Sequence, residues 1–217
     1  MTTSFPVIAA FERIRPLVAS LPQPLIDQMH AAGAFKVLIA TILSLRTRDE
    51  TTAKVTPRLW QHAETAAQML LLDEATLASI IYPVGFYRQK ARDILAICHI
   101  LQAQYNGEVP ADMDALLALP GVGRKTANLV LAIGFGIPAI CVDIHVHRIC
   151  NRWGYLDTRT PEATEMALRS HLPEEYWISI NGLLVTLGQQ ICHPVSPRCS
   201  ICPMADICAR RGVARQR

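Results

Sequence analysis

The pattern of apolar and polar positions along the chain predicts an all-helical protein. Apolar residues recur at helical spacing in one segment after another, and no segment shows the strict alternation of a half-buried strand. The predicted helices lie at about 35–44, 50–61, 74–81, 89–105, 113–118, 124–135, 144–153, 162–171 and 174–190. Because the connections between them are short, we expect a compact all-α protein.

Capping residues mark the predicted helix ends. An N-terminal carboxylate or hydroxyl accepts hydrogen bonds from backbone N–H groups that the first turn leaves unpaired. A glycine just past the last turn adopts the left-handed conformation that ends many helices. The predicted N-caps are Asp49, Asp73, Asp112, Asp143 and Thr160, Pro161 follows Thr160 at the first helical position, and the predicted end glycines are Gly107 and Gly154.

Composition adds limits without deciding the function. The chain has 217 residues, is 51% hydrophobic and carries a net charge of +3, which suits one sizeable core or two smaller lobes. The positive charge is concentrated in residues 186–217, which hold five arginines and one aspartate. This distribution permits a nucleic-acid partner.

The sequence predicts neither a membrane span nor a secretion signal. The apolar run 31–45 contains Lys36, the run 129–142 is broken by glycines and a proline, and the apolar segment 5–11 lacks a basic leader. We therefore expect a cytoplasmic protein with no membrane partner. Thiols stay reduced in that compartment, where clustered cysteines bind metals more often than they form disulfides.

The stretch LPGVGRKTA, residues 119–127, predicts a helix, a hairpin turn and a second helix. Gly121 and Gly123 have no Cβ, so another backbone can come close to the turn. The unpaired N–H groups at the start of the second helix, together with Arg124, form a site suited to an anion such as a DNA phosphate. An ordinary tight turn between packed helices is the alternative.

Lys125 follows this turn and has two interpretations. Its helical neighbours Leu129, Ala132 and Ile133 are apolar, so we expect its ammonium at the edge of a core, where burial and the positive helix end favour the neutral amine. A neutral amine is a nucleophile that can form a Schiff base. In the second interpretation, Lys125 joins Arg124 in holding a phosphate.

The stretch ICVDIHVHR, residues 140–148, places Asp143 at the start of a helix. Asp143 is an N-cap in the simplest interpretation. If it faces a lysine across a cleft, its carboxylate can also stabilise developing positive charge or accept a proton. His145 and His147 have no carboxylate or thiol to complete a metal site, so we expect them to pack or to contact phosphate.

The third motif is a cysteine cluster with the spacing C-x6-C-x2-C-x5-C, formed by Cys192, Cys199, Cys202 and Cys208. So short a polar segment needs a bound metal to fold. Zinc is one candidate. The second C-x2-C pair of common zinc sites is missing and proline follows Cys202, so we favour a 4Fe-4S cluster. Cys98, Cys141 and Cys150 are expected to be small buried hydrophobes.

The three motifs together resemble the endonuclease III family of DNA glycosylases, in the helix-hairpin-helix superfamily. The likeness covers nearly the whole chain and rests on LPGVGRKTA, VDIHVHRICNRWG and the cysteine spacing, in that order. It implies a two-lobed fold with a six-helix barrel at 24–136 and an iron-sulfur cluster lobe made of 1–23 and 137–217. It also implies a monomer that binds duplex DNA along a cleft with Lys125 and Asp143 at its mouth.

The resemblance implies a bifunctional DNA glycosylase and AP lyase that excises oxidised pyrimidines in base excision repair. If the source is a bacterium, we expect the protein to associate with the nucleoid. A damaged base must leave the duplex stack before an enzyme can reach its glycosidic carbon. Lys125 would attack C1′ and form a Schiff base that permits β-elimination, Asp143 would assist departure of the base, and His145 would line the pocket. Two alternatives are a monofunctional mismatch or damage glycosylase and a non-enzymatic helix-hairpin-helix DNA-binding module.

The resemblance also assigns DNA contacts, and here the chain departs from the family. Arg46 stands where many relatives have a glutamine that fills the hole left by the flipped base, and Phe86 stands where relatives place an aliphatic wedge. In a second interpretation Phe86 is packed and Arg46 contacts phosphate. Ile144 replaces an expected threonine. Arg198 of the cysteine loop and the hairpin amides at Gly121 and Gly123 are expected to contact phosphates only.

Overall fold

The computed structural model describes residues 5–217, and this part of the chain is helical with no β-strand. Its α-helices are α1 Val7–Ala19, α2 Ala34–Ser44, α3 Asp49–Trp60, α4 Ala66–Met69, α5 Glu74–Ile81, α6 Tyr87–Gln104, α7 Met113–Leu117, α8 Arg124–Leu129, α9 Ile144–Trp153, α10 Pro161–His171 and α11 Ser179–Gln190. Short 3-10 helices span Ile26–Gln28, Glu174–Tyr176 and Cys199–Ile201, and a π-helix spans Val130–Gly134. The predicted fold class is confirmed.

Most of the predicted helix starts are confirmed by their caps. The side chains of Asp73, Asp112, Asp143 and Thr160 each accept hydrogen bonds from backbone N–H groups of the following turn. Gly154 closes α9 in the left-handed conformation. The prediction for Asp49 is wrong, because Arg48 is the N-cap of α3 and Asp49 is its first helical residue. A carboxylate there still faces the positive end of the helix.

Two helices, α1 and α4, were not predicted. Pro6 and Pro16 argue against a helix at α1 in the sequence. The buried residues of α1 nevertheless follow helical spacing, and they are Val7, Ala10, Phe11, Ile14 and Val18. Two predicted helices are interrupted, since 124–135 changes from α to π geometry after Leu129 and 174–190 begins with a 3-10 turn. Gly134 ends the π-helix beside α2, where a Cβ would lie 3.0 Å from the Cα of Ala34.

The chain divides into two compact units. The hairpin unit is Leu25–Ala139, and the cluster unit combines Met1–Pro24 with Ile140–Arg217. Residues 1–4 of the N-terminal segment lie outside the described residues. No helix in the described part of the chain is long and apolar enough to cross a membrane.

The hairpin unit is built around α2. Every residue from 37 to 43 in this helix is buried, and α2 packs against α3, α6, α8 and the π-helix. This apolar centre, with Leu38, Ile39 and Leu43 fully buried, holds α8 and its preceding turn in place. The hairpin turn 118–123 therefore stands on a rigid base.

The cluster unit has a separate apolar core between α1, α9 and α11. Trp153 at the end of α9 stacks on Phe5 with 5.4 Å between ring centroids, and Phe11 packs against Tyr176 at 5.3 Å. This core fixes α9. The N-terminus of α9 carries Asp143, and the arginines of its later turns contact the cysteine loop.

Candidate active site and cluster loop

The hairpin turn between α7 and α8 displays its glycines and cations. Leu119 and Val122 are buried and anchor the turn, while Gly121, Gly123, Arg124 and Lys125 are exposed. Gly121 has a φ of +72°, and a Cβ there would lie 3.3 Å from an Asp93 carboxylate oxygen. A Cβ at Gly123 would have no atom within 4 Å. The helix start is therefore open to a ligand.

Lys125 is exposed in the first turn of α8. The sequence-based expectation of partial burial is wrong. Leu129, Ala132 and Ile133 are buried, at 5%, 2% and 2% exposure, but they lie one or more turns further along, and the lysine precedes the buried segment. In the folded chain the Lys125 ammonium therefore stays in contact with water.

Asp143 is half-buried and caps α9 with one oxygen. Its Oδ1 accepts hydrogen bonds from the backbone N–H groups of His145 at 2.8 Å and Val146 at 2.9 Å. Among residues 5–217, no hydrogen-bond donor contacts its Oδ2. The cap thus fixes the carboxylate and leaves its second oxygen available for chemistry.

His145 is tied to Arg148 one turn later on α9. Arg148 Nη2 lies 3.1 Å from His145 Nδ1 and donates to the carbonyl oxygen of Cys192 at 2.8 Å. Gly188 of α11 makes room for this pair, because a Cβ there would lie 2.9 Å from Arg148 Nη2 and in collision with the imidazole. Arg148 is the last residue of the motif at 140–148, but the motif does not indicate its pairing with His145, and Gly188 lies outside all three motifs.

The four predicted cluster cysteines line one cavity. Cys192, Cys199, Cys202 and Cys208 form no disulfide and surround the same space beside α9. In the described part of the chain, no three His, Cys, Asp or Glu side chains are arranged to hold a metal ion. A 4Fe-4S cluster is larger than one ion and is held by four thiolates placed around it. The residues present fit such a group.

Burial opposes ionisation of the Cys202 and Cys208 thiols. It raises the pKa of Cys202 to about 11 and raises the pKa of Cys208 as well. A coordinated metal deprotonates its thiol ligands outright, so the positive iron atoms of a cluster compensate for this desolvation. The pKa of Cys150, raised to about 12 by burial, agrees with its predicted role as a small buried hydrophobe.

Arg152 anchors the cysteine loop from α9. Arg152 is 7% exposed, and its guanidinium donates to the carbonyl oxygens of His193 and Pro194, each at 2.6 Å. Nη1 also lies 3.5 Å from Cys192 Sγ. The sequence gives no sign of this role for Arg152, because its partners are backbone atoms some forty residues away.

Arg198 is exposed on the same loop. Its backbone N–H donates to the carbonyl oxygen of Ile191 at 2.9 Å. The backbone of Arg217 pairs with the loop on both sides of Arg198. Its N–H donates to the carbonyl oxygen of Pro197 at 2.8 Å, and its carbonyl oxygen accepts from the N–H of Ser200 at 2.9 Å. Burial and the charges of Arg198, Arg217 and Arg148 lower the pKa of His193. The loop therefore presents positive charge, as expected for a surface that binds phosphate.

Arg46 and Phe86 lie side by side in the hairpin unit. Both are exposed, Phe86 by 63%, and the guanidinium carbon of Arg46 lies 5.7 Å from the centroid of the Phe86 ring. At this exposure Phe86 is not packed in the core, whereas the interpretation that Arg46 contacts phosphate stays a prediction. The structure brings together two residues that the sequence assigned separately to contacts at the flipped nucleotide.

Comparison with known proteins agrees with this arrangement. Residues 39–174 match the HhH-GPD superfamily of base excision DNA repair proteins, and residues 192–208 match the iron-sulfur binding domain of endonuclease III. The chain belongs to the endonuclease III family. Family membership confirms the predicted helix-hairpin-helix glycosylase fold and its 4Fe-4S cofactor.

Individual relatives cover most of the chain. Endonuclease III of Thermotoga maritima is 49% identical over 181 residues, which are 82% of this chain and 85% of that protein. Endonuclease III of Escherichia coli K12 is 40% identical over 181 residues, 83% of this chain and 86% of that protein. The structure of a trapped endonuclease III–DNA covalent intermediate, an estranged-adenine complex, is similar with a TM-score of 0.86 and 34% identity, covering 97% of each chain.

Proposed function

We propose that this chain is a bifunctional DNA glycosylase and AP lyase that removes oxidised pyrimidines from duplex DNA in base excision repair. One observation carries the proposal: an exposed lysine opens α8 in a chain whose fold matches that of a trapped endonuclease III–DNA covalent intermediate. An amine that forms a covalent bond to DNA must be accessible to it. Lys125 meets that requirement.

DNA binding begins at the hairpin. The open N–H groups around Gly121 and Gly123 and the side chain of Arg124 bind backbone phosphates, because a helix start favours anions. Arg198 adds a phosphate contact from the cluster loop. These contacts position the duplex and carry no base information. Damage is selected instead by the ability of one nucleotide to leave the stack.

The reaction then uses Lys125 as its nucleophile. Its exposed ammonium must lose a proton before Nζ can attack. Nζ attacks C1′, the glycosidic bond breaks, and its electron pair leaves with the base, which takes up a proton. The sugar ring opens to a Schiff base at C1′. Loss of a C2′ proton then expels the 3′ phosphate and cuts the strand.

Asp143 assists through Oδ2. Because Oδ1 is occupied by two backbone N–H groups, the carboxylate has a fixed orientation, which limits the reorganisation needed during the reaction. Oδ2 stabilises the oxocarbenium-like charge at C1′ and accepts the proton that Lys125 releases. His145, oriented by Arg148 at 3.1 Å, lines the pocket for the flipped base.

Cys192, Cys199, Cys202 and Cys208 hold the 4Fe-4S cluster. Bound there, the cluster supplies a rigid cross-link and takes no part in bond breaking. The chain's own contribution is to shape the loop through Arg152 and to direct Arg198 toward phosphate. The proposed lobes are a six-helix barrel at 24–136 and a cluster lobe of 1–23 with 137–217, acting as a monomer in the cytoplasm, or at the nucleoid of a bacterium.

The test compares base release with strand cleavage on matched duplexes that contain thymine glycol, an abasic site or no damage. Wild type should release thymine glycol and cut the strand at the same site. Release without cleavage would favour a monofunctional glycosylase, and binding without release would favour a non-enzymatic module. Asp143→Asn keeps an oxygen that caps α9 but loses the charge, so we expect turnover to fall by about a hundredfold or more while binding stays close to wild type.

A further inference from the structure

A buried lysine, Lys90, holds the segment 43–47 that follows α2 against the start of α6 in the hairpin unit. Lys90 of α6 is 6% exposed, and its ammonium donates to the carbonyl oxygens of Leu43 at 2.8 Å and Leu45 at 2.6 Å and to Thr47 Oγ1 at 3.0 Å. All of these acceptors are uncharged. Burying an ammonium without a counter-ion is costly unless its donors are paired. The segment 43–47 must therefore stay in place to provide the three acceptors.

The segment 43–47 is locked in turn to the segment before α6. Thr47 Oγ1 accepts a second hydrogen bond from the backbone N–H of Gly85 at 3.0 Å. A Cβ at Gly85 would lie 2.5 Å from the carbonyl oxygen of Arg46, so only glycine permits this approach. Thr47 thus accepts hydrogen bonds from both Lys90 and Gly85. These bonds connect the segment 43–47 and the segment that ends at Phe86 into one rigid support.

This rigid support carries the exposed side chains of Arg46 and Phe86. Both have left-handed backbone conformations, with φ of +51° and +57°, which are uncommon for residues other than glycine. Such conformations persist where the surroundings enforce them, and they concentrate at functional sites. Neither side chain is buried, so packing of these side chains in the core is not the reason for the strain.

We propose that Lys90 is a positioning residue that holds Arg46 and Phe86 as one preorganised wedge, which enters the duplex beside the flipped nucleotide. The inference rests on the proposed function. A preorganised pair loses less side-chain and loop freedom on binding than two mobile residues do. Because undamaged duplex keeps its bases stacked, the wedge contributes only where a nucleotide has left the stack.

The experiment uses Lys90→Met, which keeps the length of the side chain and removes its donors. Lys36→Met is the matched control, since Lys36 lies in the same unit and pairs with exposed Glu64 at 2.7 Å. For each protein the affinity is measured for a duplex with a reduced abasic-site analogue and for the undamaged duplex. Fluorescence of 2-aminopurine placed next to the lesion reports local unstacking at saturating protein, and the melting temperature reports stability.

Lys90→Met should lower the ratio of damaged to undamaged affinity by about tenfold, within the usual range for directly coupled groups, and weaken the 2-aminopurine signal. Lys36→Met should leave both unchanged. Arg46→Ala should lose much of its effect in the Lys90→Met background. A Lys90→Met protein that is only less stable, with the wild-type affinity ratio and signal, overturns the proposal.

Thr47→Val provides the second variant if Lys90→Met fails to fold. It removes one acceptor of Lys90 and the link to Gly85 while leaving the ammonium two carbonyl partners. The affinity ratio should then fall by about threefold, with undamaged binding unchanged. A ratio equal to wild type contradicts the proposal. Failure of the proposed function has a different signature, because wild type itself would then neither excise thymine glycol nor cut the strand.

Discussion

Arg152→Met tests whether α9 holds the cysteine loop, residues 192–208, in place. Methionine fills much of the volume of the arginine side chain but cannot donate to the carbonyl oxygens of His193 and Pro194, which Arg152 contacts at 2.6 Å each. The bond to Cys192 Sγ is lost as well. The substitution therefore removes the anchor of the segment that follows the first cluster ligand while largely preserving the packing.

The expected cost follows from these contacts. Two hydrogen bonds from a charged donor are worth about 1.5–3 kcal/mol each. Pro194 is exposed, so water can replace part of its bond, and we expect a loss of about 3 kcal/mol in the free energy of unfolding. For a chain of this length that corresponds to a melting temperature lower by about 6–12 °C.

Arg13→Met is the matched control. Arg13 also makes two short bonds in the cluster unit, to Asp206 at 2.8 and 2.7 Å, but the two side chains are 44% and 62% exposed. An exposed pair of this kind contributes at most about 1 kcal/mol. The contrast between the two variants separates the effect of burial from the loss of an arginine.

The assay combines thermal unfolding of the cluster-loaded proteins with iron content and the rate at which the cluster colour fades in air. Arg152→Met should melt earlier, contain less iron and lose colour faster than wild type, and Arg13→Met should match wild type. Wild-type melting, iron content and fading rate in Arg152→Met would refute the anchoring role.

Three further predictions concern other residues. Gly188→Ala should displace Arg148 and the neighbouring imidazole, which an added Cβ would meet, and lower the free energy of unfolding by about 1–3 kcal/mol in thermal melts; an unchanged melting temperature would contradict the close approach. Arg198→Ala should weaken damaged and undamaged duplexes alike and reduce the salt slope of binding by about one unit; a loss confined to damaged DNA would make Arg198 a lesion contact. Burial lowers the pKa of Lys90 from 10.5 to about 8, so the unfolded state binds more protons between these values, and wild type should gain stability relative to Lys90→Met as pH rises through that window; parallel pH profiles would exclude the shift.

The helices and their caps were predictable because they depend on local chemistry. Asp73, Asp112 and Thr160 each bond to an N–H group three residues ahead, an interaction that the sequence alone displays. Helix α1 was missed because Pro16 lowers helix propensity, whereas burial of Phe11 and Ile14 in the core outweighs it. Tertiary burial is not visible in a local pattern.

The chemistry of the site was predictable to a similar degree. Lys125, Asp143 and the cysteines stand in dense motifs, and sequence spacing identifies them. Their supporting contacts come from distant segments, such as Lys90 with the carbonyl of Leu43, or Arg152 with that of His193. Backbone acceptors leave no side-chain signature, so no pattern could indicate these pairs. The predicted burial of Lys125 is wrong because the lysine was expected to share the burial of its apolar helical neighbours, which lie one or more turns further along.

Borohydride trapping on an abasic-site duplex tests the central claim most directly. The reagent reduces a Schiff base to a stable amine, so wild type should become covalently linked to the DNA, with the linked peptide containing residue 125. Lys125→Ala should bind the duplex and give no adduct, whereas the control Lys36→Ala should give as much adduct as wild type. An adduct from Lys125→Ala as strong as that of wild type would show that another group is the nucleophile.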